Sequence, residues 1–277
     1  MATVPGRLRD DFAALVAAGE RTDLARAALA IARIVHPTLD PGPALHELDS
    51  LASAARSRVS HEVAAADLAA YLFGQCGFRG NQEEYYDPRN SCLNDVLERR
   101  MGIPITLSIV FMEVATRLGL TVEGVGFPGH FLVRVTGGRD PLLLDPFFGG
   151  RPIDERELLA RYRAFRGGVE VAALPPNALA TTGTIGILTR MLRNLLRIYL
   201  QRGEHPRALE ATNLLLVLVP DSADEIRVRG LLYEQLECFT AALDDFRRYL
   251  DVAPEAPDAE QIRERVAKLG RSAATIH

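Results

Sequence analysis

The C-terminal part of the sequence repeats with a period of 34 residues, and this repeat restricts the possible folds more than any other feature. Matching residues recur in the pairs Tyr199/Tyr233, Ala208/Ala242, Leu209/Leu243 and Pro220/Pro254. A period of this length is typical of tetratricopeptide helix pairs, which bury their apolar faces by stacking on one another. Residues 187–277 are therefore predicted to form an all-α repeat region that ends in an amphipathic capping helix, DAEQIRERVAKLG.

The region before the repeats combines helical and strand patterns. The helix that begins at Pro104 is apolar on nearly every side, which is typical of a helix at the centre of a domain. Strand patterns follow in TVEGVGF, HFLVRV and PLLLD, between glycines and prolines. We expect an α+β domain over residues 1–170, with a helical lead-in (1–76) and a core (77–170) that contains a small antiparallel sheet. The segment 171–186, rich in glycine, proline and threonine, is predicted to be a linker.

The stretch GFPGHFLVRVTGGRDPLLLDPF reads as a β-hairpin with its turn on Gly137 and Gly138. That turn predicts the strand pairs 135/140, 133/142 and 131/144, and it brings His130 opposite Asp145. A carboxylate that accepts one imidazole N–H fixes the tautomer and favours the charged form of the histidine. Two interpretations stay open, a functional pair and a structural hydrogen bond at a sheet edge.

Composition and charge give no support to several classes of function. With 277 residues and a net charge of -4, the chain shows no sign of a nucleic-acid partner. It contains no run of about 18 apolar residues that would predict a membrane span, and no signal peptide is recognisable. The three cysteines are far apart in sequence, so we predict neither disulfides nor a metal pair, and a cytoplasmic location fits best. His36, His46 and His61 lack the spacing of metal ligands, and no cofactor is predicted.

Three stretches resemble a known family. YYDPRNSCLNDVLERRMGIPITLS, GFPGHFLVRV and LLLDPFFGG, followed by the repeats, are similar to SirB-type bacterial proteins, in which a transglutaminase-like core precedes C-terminal tetratricopeptide repeats. The resemblance covers nearly the whole chain. It implies a papain-like arrangement in which a buried helix carries a cysteine near its N-terminus, while two adjacent strands supply a histidine and an orienting aspartate.

The sequence departs from this pattern at the nucleophile. The resemblance places the cysteine at the start of the central helix, where this chain has Pro104 between Ile103 and Ile105, with Thr106 close by. Proline offers no nucleophile, and it also lacks the backbone N–H that could stabilise an oxyanion. We therefore expect no thiol-dependent acyl transfer at the usual position, although His130 and Asp145 are retained.

Other side chains are weaker candidates for chemistry. Cys92 is predicted to lie in the first turn of a helix over 91–100 capped by Asn90 or Ser91, where the helix dipole lowers a thiol pKa. The alternative is a cysteine that packs as a small buried apolar residue. Thr106 and Ser108 could be hydroxyl nucleophiles, or they could bond back to carbonyls of their own helix.

A binding groove is predicted beside His130. Tyr86 and Asn90, in the loop before the 91–100 helix, and Pro104 and Thr106, at the start of the central helix, are its candidate lining. Asp87 and Asn90 fit equally well a turn and a cap around Pro88. The arginines of RMLRNLLRIYLQR recur every three to five residues, and a solvated helix face is expected for them.

Two functions follow as hypotheses. The first is a binding or adaptor protein that has lost the nucleophile, keeps a pocket near His130 and Asp145, and docks a protein or peptide on its repeats. The second is a hydrolase or transferase in which Asp145 orients His130 as a general base acting on water or a hydroxyl.

Overall fold

The computed structural model describes residues 7–57, 65–137 and 141–275. The chain divides into two compact units, one of residues 15–191 and one of residues 1–14 together with 192–277. Helices α1 (Arg7–Val16) and α8 (Thr184–Arg202) contribute residues to both units. Within the described ranges, no helix has the length and apolar character needed to cross a membrane.

Helix α6 (Pro104–Arg117) is the centre of the unit of residues 15–191. Around it lie α2 (Leu24–Ala32), α3 (Gly42–Arg56), α4 (Ala65–Ala69), which continues as a π-helical turn, and α5 (Leu93–Arg99). Proline at the first position of α6 is favourable because its missing N–H would have no partner within the helix. Eight consecutive residues from Pro104 to Phe111 are buried, so the predicted central helix is confirmed.

A five-stranded antiparallel sheet packs against α6. Its strands, in spatial order, are β6 (Arg151–Pro152), β5 (Leu142–Asp145), β4 (Leu132–Thr136), β3 (Thr121–Val125) and β7 (Thr181–Thr182). Helix α7 (Glu155–Phe165) follows β6 and buries Leu158 and Tyr162. The strands β1 (Arg79–Gly80) and β2 (Met101–Gly102) form a separate parallel pair. The unit is therefore of the predicted α+β class.

The register of the predicted hairpin is wrong by two residues. Val133 pairs with Leu144 and Val135 pairs with Leu142, whereas the turn on the two glycines predicted pairing with residues 142 and 140. Side chains alternate between faces with a period of two, so a shift of two residues keeps the same side chains on the same faces. The hydrophobic pattern therefore cannot distinguish the two registers. Gly138 lies outside the described residues.

The segment predicted as a linker packs into the first unit instead. Its residues Thr181 and Thr182 form β7 and pair with β3, and Ala178 is buried beside Val125 and Phe127. Val171, Leu174 and Leu179 cover the same apolar cluster. The glycines and prolines of this segment exclude long regular elements, but its apolar residues still gain free energy by leaving water. Composition alone did not reveal that packing.

The second unit has the helix pairs that the repeat predicts. Helices α9 (His205–Leu218), α10 (Ala223–Gln235) and α11 (Phe239–Val252) follow α8, and α12 (Ala259–Thr275) packs on them as the capping helix. Gly230 is required in α10 because a Cβ there would lie 2.7 Å from the ring of Phe246. Arg229 makes two hydrogen bonds of 2.7 Å to Asp245, and these join α10 to α11. The all-α repeat architecture is confirmed.

Candidate functional site

His130 is positioned by a tight turn rather than by a strand. Phe127 to His130 form the turn, in which the N–H of His130 donates to the carbonyl of Phe127 at 3.0 Å. Pro128 and Gly129 occupy the two central positions, and Gly129 has a φ of 70°, as the third position of a type II turn requires. Strand β4 begins two residues later. The PGH sequence therefore builds the local geometry that aims the imidazole.

Asp145 ends β5 and caps the next element. Its Oδ1 accepts hydrogen bonds from the backbone N–H groups of Phe147 and Phe148, at 3.1 and 3.3 Å, in the 3₁₀ helix Pro146–Phe148. The carbonyl of Asp145 accepts the N–H of Gly150 at 2.7 Å. The carboxylate is completely buried, so its orientation is fixed by the protein.

The imidazole of His130 and the carboxylate of Asp145 are in direct contact, as the sequence predicted. Nε2 of His130 lies 2.9 Å from Oδ1 of Asp145, and Nη1 of Arg161 lies 2.5 Å from Oδ2. Burial acts to raise the pKa of the Asp145 carboxyl. The hydrogen bonds and charges of His130 and Arg161 outweigh it, and the pKa lies below its ordinary value. The carboxylate is therefore ionised at neutral pH.

The second ring nitrogen of His130 faces outward. Because Nε2 is bonded to a carboxylate, it carries the hydrogen in the neutral imidazole, and Nδ1 is left as an acceptor. In the part of the chain that the structure describes, Nδ1 makes no hydrogen bond, and 13% of the His130 side chain is exposed. The imidazole is thus not sealed behind Phe127, Phe131 and Phe147, although Asp145 is buried. The imidazole can accept a proton or a hydrogen bond from a ligand.

Four aromatic rings form a cluster beside the imidazole, and three of them, Tyr85, Tyr86 and Phe148, are exposed. His130 lies 6.0 Å from the rings of Phe147 and Phe148, and Phe147 is 6.0 Å from Tyr85, which contacts Tyr86 at 5.3 Å. Tyr86 is 53% exposed and Phe148 is 42% exposed. We call Tyr85, Tyr86, Phe147 and Phe148 the aromatic surface. Exposed apolar groups that cluster are typical of binding sites.

Three of the four predicted binding residues are buried. Asn90 donates to the carbonyls of Glu84 and Tyr85, at 2.7 and 3.3 Å, and so holds the loop that carries Tyr86. The hydroxyl of Thr106 donates to the carbonyl of Asn90 at 2.7 Å and ties that loop to α6. Pro104 is also buried. These side chains position the loop, and only Tyr86 reaches the surface.

Of the two interpretations of Cys92, the structure supports the small buried residue and not the nucleophile. A 3₁₀ helix, Pro88–Ser91, precedes α5, so Cys92 is the N-cap residue and neither Asn90 nor Ser91 takes that place. Its thiol donates to the carbonyl of Pro88 at 3.5 Å, and the residue is fully buried. Burial, assisted by the negative charges of Asp95 and Asp87, raises the pKa of the thiol well above its ordinary value. Cys92 therefore behaves as a small packed residue.

The hydroxyls of α6 are equally inaccessible. Thr106 contacts the carbonyl of Ile103 at 3.2 Å, which is the bond back to its own helix that the sequence suggested. Ser108 is fully buried and has no hydrogen-bond partner in the described ranges. Neither side chain is exposed to a substrate in solution.

Thiol labelling tests the placement of the cysteines. We expect iodoacetamide to alkylate the exposed Cys238 of the folded protein at least about tenfold faster than Cys92, because a buried thiol of high pKa supplies little thiolate. Mass spectrometry of the digested protein measures both rates, and unfolding in urea should make them equal. Similar rates at the two cysteines in the folded protein would contradict the buried position of Cys92.

Sequence reasoning missed the cations of the site. Arg161 lies on α7, four residues after Glu157, with which it forms an ion pair of 2.7 Å. Its distance in sequence from Asp145 gave no signal of their contact. Arg190 belongs to the arginine series that we expected on a solvated face, yet it is half-buried and donates to the carbonyl of His130 at 2.8 Å. The apolar Ile187, which precedes Arg190 by one helical turn, was the available signal.

A metal centre has no support in the described residues. Residues 7–57, 65–137 and 141–275 contain no group of three or more His, Cys, Asp or Glu side chains placed to hold a metal ion. His36 instead contacts Asp95, with its Nε2 2.8 Å from Oδ2. His61 lies outside the described residues.

Comparison with known proteins identifies both units. The transglutaminase-like superfamily matches residues 43–193, more than half of the chain, and the tetratricopeptide repeat matches residues 195–267. A UPF0162 protein of Xylella fastidiosa is 40% identical over 266 residues, which cover 93% of this chain and 94% of that relative. Protein SirB1 of Salmonella typhimurium is 28% identical and covers 83% of this chain and 87% of its own length.

A solved structure also matches, with low similarity. The crystal structure of menin covers 92% of this chain and 73% of its own chain, with 13% identity and a TM-score of 0.42. That score is too low to support an argument about fold or function. The two family models and the relatives that align with most of the chain show the family without this structure. The chain belongs to the transglutaminase-like superfamily and is a SirB-type protein with C-terminal tetratricopeptide repeats.

Proposed function

We propose that this protein is a binding or adaptor module that uses a transglutaminase-like pocket for a ligand and its repeats for a protein partner. Its two kinds of unit fit such a role in general terms. The observation that carries the proposal is the combination of an exposed aromatic surface around His130 with the lack of an accessible thiol there. No cysteine of the described residues makes a hydrogen bond with His130.

The aromatic surface suits binding because its rings are already ordered by packing. Phe147 contacts His130, Phe148 and Tyr85, and the backbone of the 3₁₀ helix is capped by Asp145. Preorganised groups lose little conformational entropy when a ligand binds. Aromatic side chains also provide large contact areas with few rotatable bonds. The retained His130 would then supply one directional hydrogen bond.

The repeat unit offers the second binding surface. A cavity of about 600 Å³ is lined by residues of α1, α9, α10 and α11, among them Arg9, Glu210, Arg229 and Asp244. Glu210 is half-buried and, in the described residues, has neither a hydrogen bond nor an ion pair. Burial raises the pKa of its carboxyl. The positive charge of a partner's side chain would stabilise the ionised carboxylate, so we propose that this cavity receives a basic residue of a protein or peptide.

Charge reversal in the cavity tests the adaptor function. We expect Glu210→Arg in the full chain to reduce recovery of the bound partner by about tenfold or more, because a buried like charge opposes a basic residue. Quantitative mass spectrometry after affinity capture measures the recovery. Glu255→Arg makes the same charge change at an exposed residue and should leave recovery unchanged. Equal recovery by wild type and both variants would contradict partner binding in the cavity.

A hydrolase or transferase is the second candidate, and one observation favours it. Nδ1 of His130 is unbonded in the described residues and partly exposed, while Asp145 holds the opposite nitrogen, which is the geometry of an oriented general base. Turnover of an ester or amide by wild type, lost in His130→Gln, would support this function against the binding role.

The three free cysteines also fit a reducing compartment, and we propose a cytoplasmic location on that ground.

A further inference from the structure

Arg190 brings a positive charge to the turn that carries His130. Its Nη2 donates to the carbonyl of His130 at 2.8 Å, and its guanidinium carbon lies 5.2 Å from the centre of the Phe131 ring. Burial lowers the pKa of Arg190, but a guanidinium still remains protonated at neutral pH. The charge is therefore present, half-buried, beside the proposed pocket.

The carboxylates of the site are already occupied by other arginines. Asp145 pairs with Arg161, and Glu157 pairs with Arg151 and Arg161 at 2.5 and 2.7 Å. Arg190 forms no ion pair within the described ranges. Arg190 therefore carries its positive charge without a carboxylate counter-ion in the described residues. A half-buried charge in this state is costly to keep, and an anion that binds beside it recovers part of that cost.

The position of Arg190 is next to groups that a ligand can reach. A Cβ at Gly126 would lie 2.9 Å from Nη1 of Arg190, so the glycine leaves room for the guanidinium beside the turn of His130. Arg190 is bonded to His130, whose ring lies 6.0 Å from the rings of Phe147 and Phe148 of the aromatic surface. The ring of Phe165 packs against Gly129 and is 58% exposed. Cation and apolar surface are therefore adjacent.

We propose that Arg190 binds the carboxylate of a ligand whose apolar part lies on the aromatic surface, while Nδ1 of His130 can accept a hydrogen bond from any N–H or O–H group that the ligand carries. This inference rests on the proposed binding function and names the ligand class. A guanidinium prefers carboxylates because its N–H groups match their two oxygens. The carboxylate could belong to the C-terminus of a peptide or to a free organic acid, and both present the same chemistry to Arg190.

Three small probes test the ligand class on the full chain. N-acetylphenylalanine carries a carboxylate, N-acetylphenylalaninamide is its neutral counterpart, and 3-phenylpropionate lacks the peptide group. Ligand-detected NMR titration should give the acetylated acid a dissociation constant about tenfold or more below that of the amide, since charge-assisted hydrogen bonds are the stronger ones. Affinity for 3-phenylpropionate equal to that of the acetylated acid would support a free acid, and weaker affinity would support a chain terminus.

Substitution of Arg190 tests whether this residue causes the tighter binding of the acid than of the amide. Arg190→Gln should remove the difference between acid and amide, whereas Arg156→Gln, which removes an exposed charge from α7, should keep it. The comparison of acid with amide on wild type needs no variant, so a poorly folded Arg190→Gln does not block the test. Equal binding of acid and amide would overturn this inference and leave a neutral pocket. Binding of neither would overturn it as well, while partner capture through the repeats is decided separately by Glu210→Arg.

Discussion

Asp145→Asn should lower the free energy of unfolding by about 3 kcal/mol, because it removes one member of a buried ion pair. The carboxylate contacts His130 and Arg161 and also caps the 3₁₀ helix after β5. Asparagine keeps the size of the side chain but places an N–H₂ group or a neutral oxygen against Arg161. Urea unfolding followed by circular dichroism measures the change.

The loss of stability in Asp145→Asn should depend on pH, which distinguishes it from the effect of substituting a buried polar group that does not titrate. The folded-state pKa of Asp145 is below its unfolded value, so its stabilisation is complete above a pH of about 4 and is lost as the pH falls through the folded pKa. The difference between wild type and Asp145→Asn should therefore narrow below that pH. As a control, Asp154→Ala removes the exposed cap of α7 and should cost about 1 kcal/mol. If Asp145→Asn lowered the free energy of unfolding by no more than Asp154→Ala does, a buried ion pair would be refuted.

Gly150→Ala should destabilise the protein by about 3 kcal/mol, for two reasons that act together. Its φ of 68° is one that residues with a Cβ rarely adopt, and the added methyl group would overlap the ring of Phe73 and lie 3.0 Å from Cβ of Ala69. Overlap with a ring and a neighbouring helix forces both to move, which loses packing. The same unfolding measurement applies.

Gly149 supplies the matched control. Its φ of 82° is also left-handed, but a Cβ there meets nothing within 4 Å. Gly149→Ala should therefore cost only the backbone term, about 1 kcal/mol. If the two alanine variants were equally stable, the close approach of Phe73 to this turn would be wrong. The pair separates conformational strain from steric exclusion within one sequence motif.

Features that depend on local patterns could be predicted from the sequence. The 34-residue repeat, the apolar helix from Pro104 and the contact of His130 with Asp145 are all of this kind. Features that depend on distant packing could not. Arg161 reaches Asp145 from α7, and Cys92 is desolvated by neighbours that its helix position does not reveal. The hairpin register was wrong for a related reason, since a period of two allows either pairing.

Asp145 has two structural roles, and these roles affect how its conservation among related proteins would be interpreted. A carboxylate that both caps a helix and neutralises a half-buried arginine stabilises the fold, whether or not any ligand is ever bound. His130 has no comparable duty, because its ring makes a single hydrogen bond within the described residues and partly faces solvent. Among homologues, the histidine rather than the aspartate is therefore the informative position for selection on function.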